Sequence, residues 1–212
     1  MCNLYNLRTN QRALADDFSA ARDLLGNMQP DYSVYPDYAA PIGRIGEDGK
    51  RELVTARWGM PTPPKFLEGK KTDPGVTNIR NVASPHWRRW LGTENRCVVP
   101  WTSFSEYSDT EKDEKGRKVL KWFALNEDQP LAWFAGLWTN WTSVRKVKEG
   151  EITTDLFGFL TTEPNAVVAP VHKKAMPVIL RDAREVDQWL TAPWAEAKEL
   201  QRPLLNHEIK VV

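Results

Sequence analysis

Short apolar runs of strand type, separated by loops rich in proline and glycine, constrain the fold of this 212-residue chain most strongly. These runs cover residues 52–58, 97–100, 118–125, 131–137, 155–161, 176–180 and 208–211. Residues 108–117 are a charged stretch typical of a solvated hairpin turn. Many short strands with few helices between them predict an α+β fold, β-rich, with a curved or barrel-like sheet as its core and flanking helices.

Helical spacing of apolar residues predicts a helix over residues 10–25, ended by Gly26 and Asn27. Ser84 and Pro85 have the pattern of an N-cap and a first-turn proline, which predicts a short helix to residue 91. Further helices are predicted at 182–190 and 193–200, and loops at 29–43 and 59–76. Because no repeat, low-complexity tract or linker interrupts the pattern, we expect one domain over residues 1–212.

Composition and charge narrow the class of protein. Apolar residues make up 41% and charged residues 27%, which is typical of a globular chain. The net charge of +1 excludes a strong global attraction to polyanions. Two cysteines, Cys2 and Cys97, argue against a structural disulfide and for a reducing compartment. With no signal-peptide pattern and no window of about 18 apolar residues, we expect a cytoplasmic protein with no membrane association.

The residue that follows the initiator methionine is Cys2. If Met1 is removed, a single residue carries both a free α-amine and a thiol. The amine can condense with an aldehyde to a Schiff base, and the thiol can then close a five-membered thiazolidine. Ordinary pKa values near ~8 for the amine and ~8.5 for the thiol leave part of each group nucleophilic at cellular pH. The alternative is that position 2 merely tolerates cysteine.

Several short motifs accompany Cys2 in a fixed order. They are Met1-Cys2, Arg57-Trp58-Gly59, Asn78-x-Arg80, Arg96-Cys97-x-x-Pro100 leading into Phe104-x-Glu106, Ala135-Gly136-Leu137-Trp138, Thr161-Thr162-x-x-Asn165, and His172 followed by Met176-Pro177-Val178-Ile179-Leu180. In this combination the chain, from Cys2 to about residue 190, resembles the SRAP family, the SOS response-associated peptidases or abasic-site processing proteins.

The resemblance implies a single-domain SRAP fold with a groove for single-stranded DNA. It implies that Cys2 becomes the N-terminus and captures the aldehyde of an abasic site in a stable DNA–protein cross-link. It also implies that Asn78, Glu106 and His172 line the site. The same chemistry would give AP-lyase activity by β-elimination, and self-removal of Met1 would explain the peptidase name. The partner we expect is single-stranded DNA with abasic sites, as part of a DNA damage response.

Each of these residues has a chemical role and a plainer alternative. Glu106 is the candidate proton acceptor near the new amine, and the alternative is that it is an ordinary glutamate on the surface. His172 is the candidate general acid for the sugar ring oxygen, because the usual pKa of histidine lies near cellular pH. The alternative is that it is a histidine packed in the core. Asn78 is expected to hydrogen-bond the deoxyribose or the N-terminus, and the alternative is that it is only a turn residue.

Residues 57–96 carry eight Arg or Lys and three acidic residues, together with several tryptophans. Cations beside aromatic rings suit single-stranded nucleic acid, which offers phosphates and base faces. We expect Arg80, Arg88 and Arg89 to contact phosphates. Trp58 is expected either to stack on a base or to pack in the core. The alternative for the whole stretch is a solvated face over a tryptophan-rich core.

The chain departs from the family pattern at four places. Asn3 and Leu4 stand where Gly-Arg is usual, and Val82 stands where an acidic residue is usual. Phe-Tyr-Glu-Trp has become Phe104-Ser105-Glu106-Tyr107. The spacing from His172 to Met176 is one residue longer. These changes alter the neighbours of the nucleophile and of His172.

Two other functions remain open from the sequence. One is a cysteine peptidase that uses Cys2, His172 and Glu106 on external peptides. The other is a passive module that binds single-stranded DNA without chemistry. Three histidines and two cysteines have no metal-site spacing, so we expect no metal and no cofactor. We expect a monomer.

Overall fold

The structure, a computed structural model, describes residues 2–212. The strands in that range are β1 (Tyr5–Arg8), β2 (Arg22–Asp23), β3 (Asp31–Val34), β4 (Ala39–Ile45), β5 (Arg51–Trp58), β6 (Asn78–Ile79), β7 (Arg96–Trp101), β8 (Ser103–Lys112), β9 (Lys118–Ala124), β10 (Ala132–Val144), β11 (Glu151–Thr162), β12 (Met176–Pro177), β13 (Ile179–Leu180) and β14 (Lys210–Val211). The α-helices are α1 (Gln11–Phe18), α2 (Pro85–Arg88), α3 (Ala183–Thr191) and α4 (Trp194–Ala197). Short 3₁₀ turns lie at Pro64–Phe66, Thr93–Asn95, Lys198–Leu200 and Asn206–Glu208.

Five strands close into a barrel. Strands β5, β4, β7, β10 and β11 pair in that order with antiparallel neighbours, and β11 returns to pair with β5 in parallel. The closing contact joins Leu156 to Arg57 and Phe157 to Trp58. Closure leaves these strands without a free edge. The prediction of a β-rich α+β fold with a barrel-like core is therefore confirmed.

A second sheet carries the N-terminal strand. Its order is β14, β9, β8, β1 and β3, and β1 lies between β8 and β3. The chain passes from β7 in the barrel to β8 in this sheet through Thr102, whose N–H donates to the Asn6 carbonyl at 2.8 Å. One continuous stretch of chain therefore joins the barrel wall to the sheet that holds the N-terminus.

Aromatic rings fill the space between the barrel and the second sheet. Tyr5 meets Trp58 edge-on at 5.2 Å between ring centroids, and Trp101 stacks on Phe134 at 4.7 Å. Cys2 belongs to the same buried cluster. Aromatic side chains bury large areas, so this cluster fixes the position of the N-terminal segment.

Two sequence predictions of local structure are wrong, and the hairpin turn predicted over 108–117 is shorter, because strand β8 continues to Lys112. The helix predicted over 10–25 ends at Phe18, because Ser19 has φ 52° and its N–H bonds to the Ala15 and Asp16 carbonyls. Residues 22–23 then pair with β5 instead. Residues 29–43 were predicted as a loop but hold β3 and most of β4. Strand β4 accommodates Pro41 because its pairing with β7 begins only at Gly43.

The remaining predicted elements lie close to the observed ones. The helix predicted over 84–91 is shorter, and the Ser84 side chain makes no capping hydrogen bond. Helix α3 begins after Asp182, whose carboxylate accepts from the Glu185 N–H at 3.0 Å. Strands β5, β7, β9, β10 and β11 cover the predicted runs and extend several of them.

Candidate active site around Cys2

Cys2 is held against the start of β8. The Leu4 carbonyl accepts from both the Ser105 N–H and the Ser105 hydroxyl, each at 3.0 Å. The Cys2 thiol donates to the same carbonyl at 3.5 Å. Because Cys2 is 0% exposed, its side chain lies in the core in the form described.

Asn78 contacts Cys2 directly. It begins β6, which pairs in parallel with β11 at Phe159. The Asn78 Nδ2 donates to the Cys2 carbonyl at 2.8 Å and to the Thr77 hydroxyl at 2.8 Å. The structure thus brings together two predicted site residues that are 76 positions apart in the chain.

Glu106 is a buried carboxyl on β8, one residue beyond Ser105. Its pKa is raised from the usual 4.5 to about 7, chiefly by burial and to a smaller degree by the nearby charge of Asp109. The charge of Glu106 in turn raises the pKa of the Cys2 thiol, which places the two groups in the same electrostatic neighbourhood. A carboxyl with a pKa near 7 can both accept and return a proton at neutral pH.

The Cys2 thiol keeps its proton in this environment. Burial is the largest cause of its raised pKa, and Glu106 is the next. The expectation of partial thiolate at cellular pH was therefore wrong for this form, because a desolvated thiolate is strongly disfavoured. Any attack by the sulfur needs a base that takes the proton in the same step.

His172 ends a turn that Asn165 organises. The Asn165 Oδ1 accepts from the Val167 and Val168 N–H groups at 3.1 Å, and the His172 N–H donates to the Val168 carbonyl at 2.9 Å. Burial lowers the pKa of His172 below its usual 6.5, while Asp109 acts in the opposite direction. At neutral pH most of the imidazole is neutral, which leaves a minor acid form.

Asp109 is a neighbour of His172 that the sequence analysis missed. Its Oδ2 lies 3.7 Å from the His172 Nδ1. The interpretation of 108–117 as a solvated turn concealed it, because only the fold shows that β8 runs past the His172 segment. The sequence places Asp109 three residues after Glu106, but no strand is predicted there and no pattern marks it.

The predicted DNA contacts differ in exposure. Arg80, Arg88 and Arg89 are exposed, and Arg80 pairs with Glu163 at 3.5 Å. Trp58 is 0% exposed, and its Nε1 donates to the Thr77 carbonyl at 3.1 Å. Stacking of Trp58 on a base is therefore excluded in this conformation, and its packed alternative describes the structure.

Arg88 also lines an open groove of about 620 Å³. Glu94, Arg96 and Trp194 contribute to the same groove. The Arg96 guanidinium is buried and donates to the carbonyls of Leu91, Trp189 and Ala192. It thus joins β7 to the end of α3.

Two further observations concern metals and membranes. Among residues 2–212, no group of three or more His, Cys, Asp or Glu side chains could hold a metal ion. No described helix has the length and apolar character needed to cross a membrane.

Three solved structures share this fold. A protein from Bordetella bronchiseptica is 25% identical with a TM-score of 0.71, covering 100% of this chain and 99% of that chain. A protein from Bacteroides thetaiotaomicron is 21% identical with a TM-score of 0.72, covering 99% and 90%. A phage-related protein from Bordetella bronchiseptica is 18% identical with a TM-score of 0.70, covering 100% and 93%.

No curated protein matches the sequence. The family model described as SOS response associated peptidase (SRAP) matches residues 1–212. This match extends over every motif from Cys2 to His172, and the chain has a β-rich barrel fold. The chain therefore belongs to the SRAP family.

Proposed function

We propose that this protein acts in the DNA damage response by trapping abasic sites in single-stranded DNA on Cys2. The observation that carries the proposal is the hydrogen bond from the Asn78 Nδ2 to the Cys2 carbonyl, at 2.8 Å. Burial raises the pKa of the nearby Glu106 carboxyl to about 7, which supports the proposal. The proposal requires removal of Met1, which lies outside the described residues. Asn78, Glu106 and His172 then surround an N-terminal amino-thiol.

The first step opens the sugar. His172 in its acid form gives a proton to O4′ as the C1′–O4′ bond breaks. The C1′ hydroxyl loses its proton to solvent water, so C1′ becomes an aldehyde. A buried imidazole with a lowered pKa is a stronger acid than an exposed one, which favours this transfer.

The second step joins protein and DNA. The Cys2 amine adds to C1′, and the Glu106 carboxylate takes the proton that the nitrogen loses. Glu106 passes this proton to the aldehyde oxygen, which becomes a hydroxyl. A second nitrogen proton follows the same route, so that the hydroxyl leaves as water and gives the Schiff base. A pKa of about 7 lets one carboxyl serve both transfers.

The third step closes the ring. The Cys2 sulfur attacks C1′, the electrons of the C=N bond move to nitrogen, and Glu106 takes the thiol proton and passes it to that nitrogen. The balance is one aldehyde and one amino-thiol converted to one thiazolidine and one water. β-Elimination competes at the Schiff base, because a C2′ proton is acidified and loss of the 3′ phosphate cleaves the strand.

The raised pKa of the Cys2 thiol counts against a peptidase that acts on external peptides, since such enzymes use a thiolate. Self-removal of Met1 belongs to the proposal as a separate reaction of the same site. We further propose that the protein works as a single-domain monomer in the cytoplasm, associated with the nucleoid when bound to DNA.

The test is a denaturing gel with a uracil oligonucleotide that a glycosylase has converted to an abasic one. We expect a band of protein bound to DNA that survives boiling in detergent. The band should be absent for Cys2→Ala and for a chain extended before Met1, in which Cys2 has a thiol but no free amine. Cleaved DNA without the band indicates a lyase. Retained binding without either product indicates the passive module and overturns the proposal.

A further inference from the structure

Asp109 fastens the His172 segment to β8 through several contacts. The Asp109 N–H donates to the Val171 carbonyl at 2.8 Å. Its Oδ2 accepts from the Lys173 N–H at 3.3 Å and lies 3.7 Å from the His172 Nδ1. The backbone on both sides of His172 is thus tied to the residue whose carboxylate faces the imidazole.

The other oxygen of Asp109 is occupied by a lysine. Lys118, on the neighbouring strand β9, donates to the Asp109 Oδ1 at 2.9 Å. This hydrogen bond lowers the pKa of Asp109, so the carboxylate stays ionised at neutral pH and takes no proton from His172. The arrangement stabilises an imidazolium without consuming its proton.

Opposing charges surround the imidazole. Within residues 2–212, the charged groups that influence His172 are Asp109 from β8, Lys118 from β9 and Lys174 from its own segment. Asp109 favours the protonated ring, and both lysines disfavour it. A partly exposed pair of this kind is screened by solvent, so its effect is a bias on protonation.

We propose that Asp109 is a positioning residue that orients the His172 imidazole through Nδ1 and increases the protonated fraction of the ring for the opening of the sugar. This proposal rests on the proposed function. The arrangement differs from a core histidine with no partner charge, because removal of the Asp109 carboxylate should change the acidity of His172 while His172, Glu106 and Cys2 stay in place.

A direct test is an NMR titration of the His172 ring, assigned with His172→Ala among the three histidines. Asp109→Asn should lower the pKa of His172, because the negative partner is lost while an oxygen acceptor remains. Lys118→Gln should raise it, because a competing positive charge is lost. The control is Glu111→Gln, which breaks the 2.8 Å ion pair between Glu111 on β8 and Lys121 on β9. This change should leave the pKa of His172 unaltered.

The second test is the pH dependence of cross-linking. At a pH above the pKa of His172, each unit by which this pKa falls reduces the protonated fraction of the ring about tenfold. Asp109→Asn should therefore slow cross-linking at pH 7 and move the falling limb of the profile to lower pH. Its rate at low pH should approach that of the unaltered protein. Asp109→Glu, which restores the charge, should recover most of the rate at pH 7.

The outcomes separate the two proposals. If the His172 titration is the same in Asp109→Asn as in the unaltered protein, the role of Asp109 is overturned. A shifted titration with an unchanged cross-linking profile overturns it as well. If the unaltered protein forms no cross-link, the proposed function fails, while the titration still decides whether Asp109 controls the acidity of His172.

Discussion

At the scale of single residues, Cys2 and Glu106 have complementary acidities. Burial keeps the thiol protonated, and it also brings the carboxyl to a pKa of about 7. The amine is therefore the first nucleophile in the proposed reaction, and the sulfur depends on Glu106 as its base. A single buried environment sets the order of the two bond-forming steps.

Glu106 should make the stability of the protein depend on pH. A carboxyl whose pKa is raised in the folded state binds its proton more tightly there, so stability falls as pH rises from 4.5 through about 7. Glu106→Gln should match the unaltered protein at pH 4.5 and exceed its stability at pH 8 by on the order of 1–3 kcal/mol. Urea unfolding of protein whose intact mass includes Met1 measures this difference.

The control for this prediction is Glu111→Gln, because Glu111 is an exposed carboxylate on the same strand. It should show no gain at pH 8. A Glu106→Gln protein that is less stable than the unaltered one at pH 8 would contradict the raised pKa.

At the scale of elements, the loop between β5 and β6 positions Asn78. Arg145, fully buried at the end of β10, donates to the Gly59 carbonyl at 3.1 Å and to the Pro74 carbonyl at 3.4 Å. It also pairs with Asp37 at 3.1 Å. One side chain thus holds both ends of the loop, and Asn78 follows directly after it.

A matched pair of glycines tests this anchor. Gly69 and Gly75 lie in the same loop with φ +73° and +76°, so alanine at either costs about 1–2 kcal/mol of backbone strain. An added Cβ at Gly69 meets open space, whereas at Gly75 it meets the Arg145 guanidinium. Gly75→Ala should lose a further ~1–3 kcal/mol in chemical unfolding and also slow cross-linking. Equal losses for the two variants would contradict the anchoring role of Arg145.

The sequence predicted most elements of this molecule but fewer of their connections. Periodicity located four of the five barrel strands and missed β4, and the motifs singled out Cys2, Asn78 and Glu106. The left-handed conformation of Ser19 had no sequence marker, so α1 was predicted too long. Asp109 was missed because its partner, His172, lies 63 positions away in the sequence, and pairing over that distance is set by the fold.

At the scale of the whole molecule, charge is distributed unevenly despite a net value of +1. Of the eight basic residues in 57–96, Arg57 is tied to Asp37 and Glu149, and Arg96 is buried. The exposed ones are Lys65, Lys70, Lys71, Arg80, Arg88 and Arg89. A solvated face and a phosphate-binding face differ in how DNA binding responds to salt.

Salt dependence tests the arginine contacts. A phosphate contact releases counterions, so each one adds about 0.7 to the slope of log affinity against log salt for single strands. Replacement of Arg80, Arg88 and Arg89 by alanine should lower the slope by about 2. Fluorescence anisotropy with a labelled abasic-free oligonucleotide measures it. Arg12→Ala, at an exposed arginine on α1, is the control, and an unchanged slope in the triple variant would remove these residues from the DNA interface.

The closing pair of the barrel joins β11 to β5 at only two positions, and the next residues of β11 hold Asn78. A short seam of this kind opens at lower free energy than the long antiparallel ladders around it. Asn78 would then separate from the N-terminus while most of the molecule stays folded. On warming, the protein should therefore lose its cross-linking activity at a lower temperature than that at which the whole molecule unfolds.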